Sequence, residues 1–312
     1  MKKVSTVSLE YRPNRWRSVW NNREFYLLML PGVIITIIFS YMPMYGILMA
    51  FQDVKVGQSV SEATWVGWSN FERLFKMRMF RIALENTLTL NIVSLLFSIP
   101  MPIILALFLH NSPFHRLKRV TQTASYLPYL VSTVVVVSII NLFCNGENGL
   151  INIIISKLGY KKISFFGEPR WVLPLYVISG IWQTNGYNAV IYLAALSTVD
   201  SELIEAAMID GANKRQRMWY IDLQTIKPTI ITLMILRVGQ LMAMGIDKIL
   251  LLQTPLNIEA SETIVTYVYK TGVVGQQIGF STAVGLFNNV TNLVLLLLMN
   301  FLSRKIAKTS LF

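Results

Sequence analysis

The chain has 312 residues, of which 54% are hydrophobic and 14% are charged, and its mean hydropathy is +0.51. This composition is too apolar for a soluble domain of that length and indicates a protein of the lipid bilayer. The net charge of +12 would suit nucleic acid, but the basic residues lie in the connections between apolar runs, which indicates membrane topology and no nucleic acid partner.

Six segments approach the roughly 20 apolar residues that cross about 30 Å of hydrocarbon. They predict an all-α membrane protein with one six-helix transmembrane domain at 26–302, a basic N-terminal segment at 1–25 and a tail at 303–312. Basic residues at Lys2, Lys3, Arg12, Arg15, Arg17 and Arg23 favour an inside N-terminus, and an even number of spans then places the C-terminus inside as well. The predicted spans are 26–51, 86–109, 123–144, 171–196, 228–246 and 280–302.

The first four predicted spans contain proline, at Pro31, Pro43, Pro100, Pro102, Pro128 and Pro174. Interrupted helices are typical of proteins with a polar cavity, where neighbouring helices or water satisfy the freed carbonyls. Because proline is also generally common in membrane helices, simple packing kinks remain an alternative.

The connection between the first two spans carries aromatic and basic residues. Its sequence Gly67-Trp68-Ser69-Asn70-Phe71 predicts a turn and a helix start, and 71–84 has apolar residues at helical spacing. We expect a helix that lies at the outer membrane surface before the second span. The other outer loops, 145–170 and 247–279, are too short for an independent enzyme domain.

Polar residues inside the spans are candidates for a binding site, because each is costly in lipid unless it faces a cavity or a partner. The fourth span carries Gln183, Asn185, Tyr187 and Asn188 within two turns. Amides and an aromatic face together suit a sugar, although helix pairs use the same residues for hydrogen bonds. Asn91 and Ser94 in the second span and Asn288, Asn289 and Asn292 in the sixth are further candidates.

Arg237 is the costliest of these residues, since an arginine near the bilayer centre costs at least about 2.5–3.5 kcal/mol on insertion scales. Gln240 lies one turn away on the same predicted span, and no acidic residue lies at that depth. We therefore expect Arg237 to line a substrate pathway, with a structural hydrogen-bond anchor as the alternative.

A polar loop at 197–227 separates the fourth and fifth spans. Asp200 or Ser201 can cap a short helix with acidic residues in its first turns, and Gly211 can end that helix in the left-handed conformation. A second helix at about 214–223 follows. Two short helices joined by a glycine suit a protein partner, and an ordinary amphipathic loop is the alternative.

No enzyme site is evident in the sequence. Phosphate-loop, zinc-protease and serine-hydrolase motifs are absent, so we predict no catalytic residues. One cysteine, Cys144, and two histidines, His110 and His115, form no metal-ligand pattern, so we predict no metal. If ATP drives this protein, a different chain must bind it.

The string from Glu205-Ala206-Ala207 through Gly211 to Ile221 and Leu223 resembles the signature loop of binding-protein-dependent ABC importer permeases of type I. The resemblance implies a cytoplasmic coupling helix that seats in an ATPase subunit. The residues that it implies for coupling are Glu205, Ala206, Ala207, Asp210, Gly211, Ile221 and Leu223. The usual pattern has proline after the leucine, whereas this chain has Gln224 and reaches Pro228 later, which leaves open how the second helix ends.

Further strings are similar to the carbohydrate-uptake branch of this family and to its permeases for polysaccharide fragments; they lie at 67–71, 86–88, 192–196, 235–239, 249–252, 266–269 and 282–287. The resemblance implies a multi-pass subunit of a prokaryotic plasma membrane that imports carbohydrate. Its implied partners are a second permease, two ATPases that hold ATP and Mg²⁺, and an extracytoplasmic solute-binding lipoprotein. The rival functions are a solitary ion-coupled transporter, for which intramembrane acids are lacking, and a membrane-embedded enzyme.

Overall fold

The structure is a computed structural model that describes residue 20 and residues 22–307. Most of the predicted basic segment 1–25 and the end of the tail 303–312 lie outside the described residues. The regular secondary structure of the described chain is helical except for one antiparallel pair of two-residue strands, β1 (Gln52–Asp53) and β2 (Thr64–Trp65), which the sequence did not predict. It divides into two compact units, with the boundary between Leu48 and Met49.

The first described element is a long helical stretch that changes type along its length and ends just past the boundary between the two units. Helix α1 (Arg23–Thr36) passes into a π-helical turn at Ile37–Tyr41 and a 3₁₀ helix at Met42–Phe51. Pro31 lies inside α1 and cannot donate a helical hydrogen bond, and Pro43 lies at the start of the 3₁₀ stretch. The predicted interruption of this span is confirmed.

The second unit begins with the strand pair and helix α2 (Ser69–Lys76), which follows a left-handed Gly67 with φ of +59°. The predicted turn and helix start are confirmed. The predicted helix 71–84 is wrong in its continuity, because Met77 adopts extended angles that end α2, and α3 (Arg78–Ser98) starts one residue later. Helix α4 (Pro100–His110) follows α3 with proline in its first position, where a missing N–H costs little.

The predicted third span is two helices at an angle. Helix α5 (His115–Tyr126) continues as a 3₁₀ turn at Leu127–Leu130 that contains Pro128, and α6 (Thr133–Cys144) leaves at 102°. Ser132 caps α6 by accepting a hydrogen bond from the Val135 N–H.

Helix α7 (Leu150–Lys157) and a 3₁₀ turn at Pro169–Trp171 lead to α8 (Val172–Leu196), which forms the centre of the second unit. Helix α8 packs against α3, α4 and α5. Gly186 of α8 is buried, and a Cβ there would overlap the carbonyl oxygen of Ser125 on α5. The predicted fourth span therefore coincides with α8, the helix against which α3, α4 and α5 pack.

Helices α9 (Ser201–Ile209) and α10 (Lys214–Arg217) follow, and a π-helical turn at Met218–Asp222 joins α10 to α11 (Leu223–Gly239). After a break, α12 (Ile246–Leu252) begins. The predicted fifth span, 228–246, is wrong in both bounds, because helix already precedes Pro228 and ends at Gly239.

Three short elements follow α12 in the segment 247–279: α13 (Ile258–Ser261), α14 (Ile264–Tyr269) and a π-helical turn at Lys270–Val274. Asn86 of α3 donates hydrogen bonds to the carbonyls of Glu259 and Glu262, at 2.8 and 2.9 Å. The Glu262 side chain is 2% exposed and pairs with Lys270 at 2.6 Å. The last helix, α15 (Ile278–Ala307), packs against α11.

By length and composition, three described stretches can cross a bilayer: Arg23–Phe51, Arg78–His110 and Ile278–Lys305. The bent pair formed by α5 with its 3₁₀ turn and α6 makes a fourth if it is counted as one span. One apolar cluster of α4, α8 and α11 includes Leu107, Tyr192, Leu196 and Ile226. This cluster connects the helices that flank the polar loop 197–227.

Candidate functional site

A small polar cavity lies between α3 and the broken end of α11. Its volume is about 110 Å³. Asn91 and Ser98 of α3 line it from one side, and Arg237 and Gln240 line it from the other, together with Leu95, Leu241 and Ala243. Four polar side chains thus converge in a region where the surrounding helices are apolar.

Arg237 is the cation of this cavity. Its Nη2 donates to Asn188 Oδ1 at 3.2 Å, and within the described part of the chain no carboxylate lies within ion-pairing distance of its guanidinium. A guanidinium carries five N–H donors. Arg237 can therefore hold an anionic or hydroxylated group while its contact with Asn188 fixes its position.

The end of α11 explains why Arg237 and Gln240 face a cavity. Beyond Gly239 the backbone leaves the helix, and the freed Met242 N–H donates to Asn292 Oδ1 on α15 at 2.8 Å. Non-helical backbone at membrane depth is tolerated where it is enclosed by protein or lines a cavity. The break therefore builds one wall of the cavity.

The other residues predicted for the pathway have different surroundings. Gln183 donates to the Val131 carbonyl at 3.1 Å, and the rings of Tyr187 and Tyr129 stack with centroids 3.8 Å apart. Asn185 and Asn288 each hold a buried side-chain oxygen with no hydrogen-bond partner in the described structure. Arg237, Gln240 and Asn188 are thus brought together, whereas Gln183 and Asn292 bind backbone.

Asn91 was a secondary candidate in the sequence, and Ser98 was not predicted. The Nδ2 of Asn91 is buried without a hydrogen-bond partner among the described residues, beside the cavity that Asn91 lines. A serine that follows an apolar run gives no distinctive signal in sequence. Only the position of α3 opposite the end of α11 identifies it.

A larger cavity of about 680 Å³ lies between α6, α7 and α8. Its lining is almost entirely apolar, with side chains such as Ile140, Phe143, Ile155 and Ile178. It offers few groups that could bind a polar solute, so we place the candidate site at the smaller polar cavity.

The polar loop between α8 and α11 forms the second part of the site. Asp200 caps α9, with Oδ1 accepting from the Glu202 N–H at 2.9 Å, and Gly211 ends it with φ of +79°. Both predictions are confirmed. No residue of α9 is buried, and its apolar side chains Met208 and Ile209 are 49% and 87% exposed. This helix presents a free surface with apolar and acidic groups.

The second helix of the loop starts at Asn213, whose side chain and that of Gln216 cap each other's backbone N–H at 2.9 and 2.7 Å. Gln224 does not end it. The helix continues through the π-helical turn at Met218–Asp222 directly into α11 and passes Pro228. The loop is therefore continuous with the helix that carries Arg237.

Asp222 is a residue of this loop that the sequence did not single out. Its side chain is almost fully buried, and Asn111 Nδ2 donates to its Oδ2 at 2.6 Å. Among the described residues, no group of three or more His, Cys, Asp and Glu side chains could hold a metal ion.

Residues 98–308 match the family described as binding-protein-dependent transport system inner membrane component. Protein LplB of Bacillus subtilis is 39% identical over 291 residues, which cover 93% of this chain and 92% of that protein. The polygalacturonan/rhamnogalacturonan transport system permease protein YteP of the same organism is 39% identical over 290 residues, with coverage of 93% and 90%.

A solved structure of a bacterial alginate ABC transporter, in complex with an alginate pentasaccharide-bound periplasmic protein, contains a chain with the same fold. Its TM-score is 0.88 at 35% identity, over 95% of this chain and 99% of that chain. The resemblance drawn from the Glu205 loop and from the carbohydrate-branch strings is confirmed by these similarities. The chain belongs to the binding-protein-dependent transport system inner membrane components, the permease subunits of ABC importers.

Proposed function

We propose that this chain is a membrane subunit through which an ATP-driven importer moves oligosaccharides or polysaccharide fragments into a prokaryotic cell. The names of its relatives support a carbohydrate cargo, since they include permeases for polygalacturonan/rhamnogalacturonan and for arabinooligosaccharides. The chain catalyses no covalent step. It spans the plasma membrane six times, with 26–302 as the transmembrane domain and both termini in the cytoplasm.

The chain works with a second, similar permease, two cytoplasmic ATPases that bind ATP and Mg²⁺, and an extracytoplasmic solute-binding lipoprotein. The alginate transporter supports the last of these partners, because its structure was solved with a periplasmic protein that carries the sugar. Membrane lipid surrounds the remaining surface.

The observation that carries the proposal is the exposure of α9 together with its connection to the cavity. Glu205, Ala206, Ala207, Asp210 and Gly211 lie on or directly after a helix with no buried residue, as an ATPase contact requires. Ile221 and Leu223 lie where the loop passes into α11, and Arg237 lies near the far end of that helix. Movement of the loop is therefore carried towards the cavity along one helix.

The cargo passes the cavity formed by Arg237, Gln240, Asn91 and Ser98. With no carboxylate beside it in the described structure, the Arg237 guanidinium supplies a positive charge that an acidic sugar such as a uronic-acid oligomer can neutralise. Asn188 holds the guanidinium. Gln183, Asn185, Tyr187, Asn288 and Asn292 support the helices around the pathway or contact the cargo in another conformation.

Coupling follows from a difference in affinity between two states. ATP binding closes the two ATPases, which draws the Glu205 loops of the two permeases together and opens the helices outward. The binding protein then releases its sugar into the cavity. Hydrolysis returns the helices to the inward-facing state.

The test uses the full complex in liposomes, with a fluorescently labelled galacturonic-acid oligomer as the cargo. Gly211→Pro replaces a residue with φ of +79° by one confined to negative φ, and it removes the Gly211 N–H bond to Met208. We expect uptake to be lost and ATP hydrolysis to become independent of the binding protein. Glu205→Ala should act in the same direction.

Gly159→Pro is the matched control. Gly159 has φ of +84° and donates its N–H to the carbonyl three residues earlier, as Gly211 does, but it lies in the loop 145–170. We expect this variant to keep coupled uptake. Normal uptake by Gly211→Pro would contradict the coupling role, and uptake without a copurifying ATPase would favour a solitary transporter.

A further inference from the structure

Asp222 is a buried acidic residue at the point where the loop 197–227 enters the membrane domain. Its side chain is 2% exposed and belongs to the π-helical turn between α10 and α11. Burial of a carboxyl group is unfavourable unless hydrogen bonds replace those of water. Its retention at this junction therefore requires a partner and suggests a specific task.

The partner is Asn111, the residue that directly follows α4. Its Nδ2 donates two hydrogen bonds, one to Asp222 Oδ2 at 2.6 Å and one to the Leu107 carbonyl at 3.1 Å. One amide group thus satisfies a carbonyl at the end of α4 and binds a carboxyl group 111 residues later in the chain. Within the described part of the chain, it makes the one hydrogen bond between the end of α4 and the loop.

Asp222 is not held by a positive charge. No lysine or arginine forms an ion pair with it among the described residues, although Arg217 lies one turn earlier and its Nε is buried without a hydrogen-bond partner. The Asn111 contact is therefore the polar interaction that fixes the carboxyl group. It is short and directional, so it specifies one relative position of two segments.

The contacts around this pair are apolar. Leu107 of α4, Leu196 of α8 and Ile226 of α11 are buried in one cluster, against which Met218 and Leu223 pack. Apolar contacts are not directional, so they constrain the relative position of α4 and the loop less tightly than a hydrogen bond does. Loss of the hydrogen bond would therefore loosen the position of α4 against the loop.

We propose that the hydrogen bond between Asn111 and Asp222 makes α4 move together with the coupling loop, so that both are positioning residues for transport. This inference rests on the proposed contact between the loop and an ATPase. It adds that movement of the loop is transmitted to α4 and from α4 to α8. This transmission is in addition to the direct one along α11. Without the bond, the loop moves relative to α4, and its movement does not open the helices.

The test compares sugar uptake per ATP hydrolysed for the full complex in liposomes, with the labelled galacturonic-acid oligomer as the probe. Asn111→Asp places two carboxyl groups in contact, which disfavours the arrangement in which residues 111 and 222 are close together. We expect uptake per ATP to fall about tenfold, while ATP hydrolysis continues. Asp222→Asn keeps an oxygen that accepts from Asn111, and it should keep uptake per ATP within about twofold.

The double variant Asn111→Asp with Asp222→Asn exchanges donor and acceptor. We expect it to restore uptake per ATP to within about threefold of the wild type. Ser112→Ala is the matched control, because Ser112 lies beside Asn111 and its hydroxyl accepts from the Phe114 N–H, and it should leave uptake per ATP unchanged. An unchanged ratio for Asn111→Asp, a double variant as poor as that single variant, or a loss confined to the yield of assembled complex would each overturn the inference.

The two proposals fail in different ways. If the wild-type complex hydrolyses ATP but moves no galacturonic-acid oligomer, the proposed cargo is wrong. Stimulation of ATP hydrolysis by the binding protein then replaces uptake as the readout for the same variants. Loss of that stimulation in Asn111→Asp and its return in the double variant would support the Asn111 and Asp222 contact, and stimulation equal to wild type in Asn111→Asp would contradict it.

Discussion

Replacement of Arg237 by leucine should reduce uptake of an acidic sugar without unfolding the protein. The hydrogen bond from Arg237 to Asn188, 3.2 Å long, contributes about 1.5–3 kcal/mol to folding as a bond from a charged donor. A guanidinium at membrane depth costs about 2.5–3.5 kcal/mol. These two contributions largely offset each other, so we expect Arg237→Leu to change the free energy of unfolding by no more than about 2 kcal/mol.

In cargo binding, no gain of this kind offsets the interaction with the sugar that is lost when Arg237 is replaced. A charge-assisted bond from the guanidinium to a sugar carboxylate contributes about 1.5–3 kcal/mol, so its loss should weaken uptake of the galacturonic-acid oligomer about ten- to hundredfold. Arg237→Lys keeps the charge but loses the planar fork of donors, and it should lie between wild type and Arg237→Leu. A methyl-esterified oligomer has no free carboxylate, and its uptake should be similar in all three proteins.

The assay measures uptake into liposomes together with the thermal stability of the purified complex. Full uptake of the acidic oligomer by Arg237→Leu would remove Arg237 from the pathway. A loss of stability in proportion to the loss of uptake would show that Arg237 is a structural anchor, and equal losses for the acidic and the esterified oligomer would refute carboxylate recognition.

Three further substitutions test the packing and the backbone. Gly211→Ala meets open space but must keep φ of +79°, so we expect a loss of about 1–2 kcal/mol in the stability of the loop, seen as faster amide exchange, with partial uptake. Gly186→Ala would push a methyl group into the Ser125 carbonyl, so assembled complex should be lost; normal yield by size-exclusion chromatography would contradict the packing of α5 on α8. Lys270→Met leaves the Glu262 carboxyl, 2% exposed, without its cation and should destabilise the segment 247–279 by about 3–5 kcal/mol in thermal unfolding. Adding Glu262→Gln to that variant should recover most of the loss.

Short-range signals in the sequence predicted short-range structure well. Asp200, Gly211 and Gly67 mark a helix cap and two left-handed turns because the hydrogen bonds and dihedral angles concerned lie within a few residues of each other. The string from Glu205 to Leu223 identified the family for the same reason, since it is contiguous along the chain. The cost of a charge in lipid singled out Arg237 without any structure.

Helix bounds were predicted less well where tertiary contacts replace helical hydrogen bonds. Apolar composition continues past Gly239, so the sequence extends the fifth span to 246, but Asn292 on another helix accepts the Met242 N–H and permits the break. In the same way, the second helix of the loop was predicted at about 214–223, whereas it continues past Gln224 and Pro228. Hydropathy alone does not reveal hydrogen-bond partners on distant helices.

The sequence by itself determined that the chain belongs in a bilayer, that it carries the signature string of ABC importer permeases, and which polar residues are costly inside an apolar span. Only the tertiary structure decided which of these residues meet. Asn91 and Ser98 of one helix line the same cavity as Arg237 of another, and Asn111 binds Asp222, 111 residues later in the chain. The physical reason is that caps and periodic patterns act over one or two turns, whereas a cavity or a buried hydrogen bond depends on how distant helices pack.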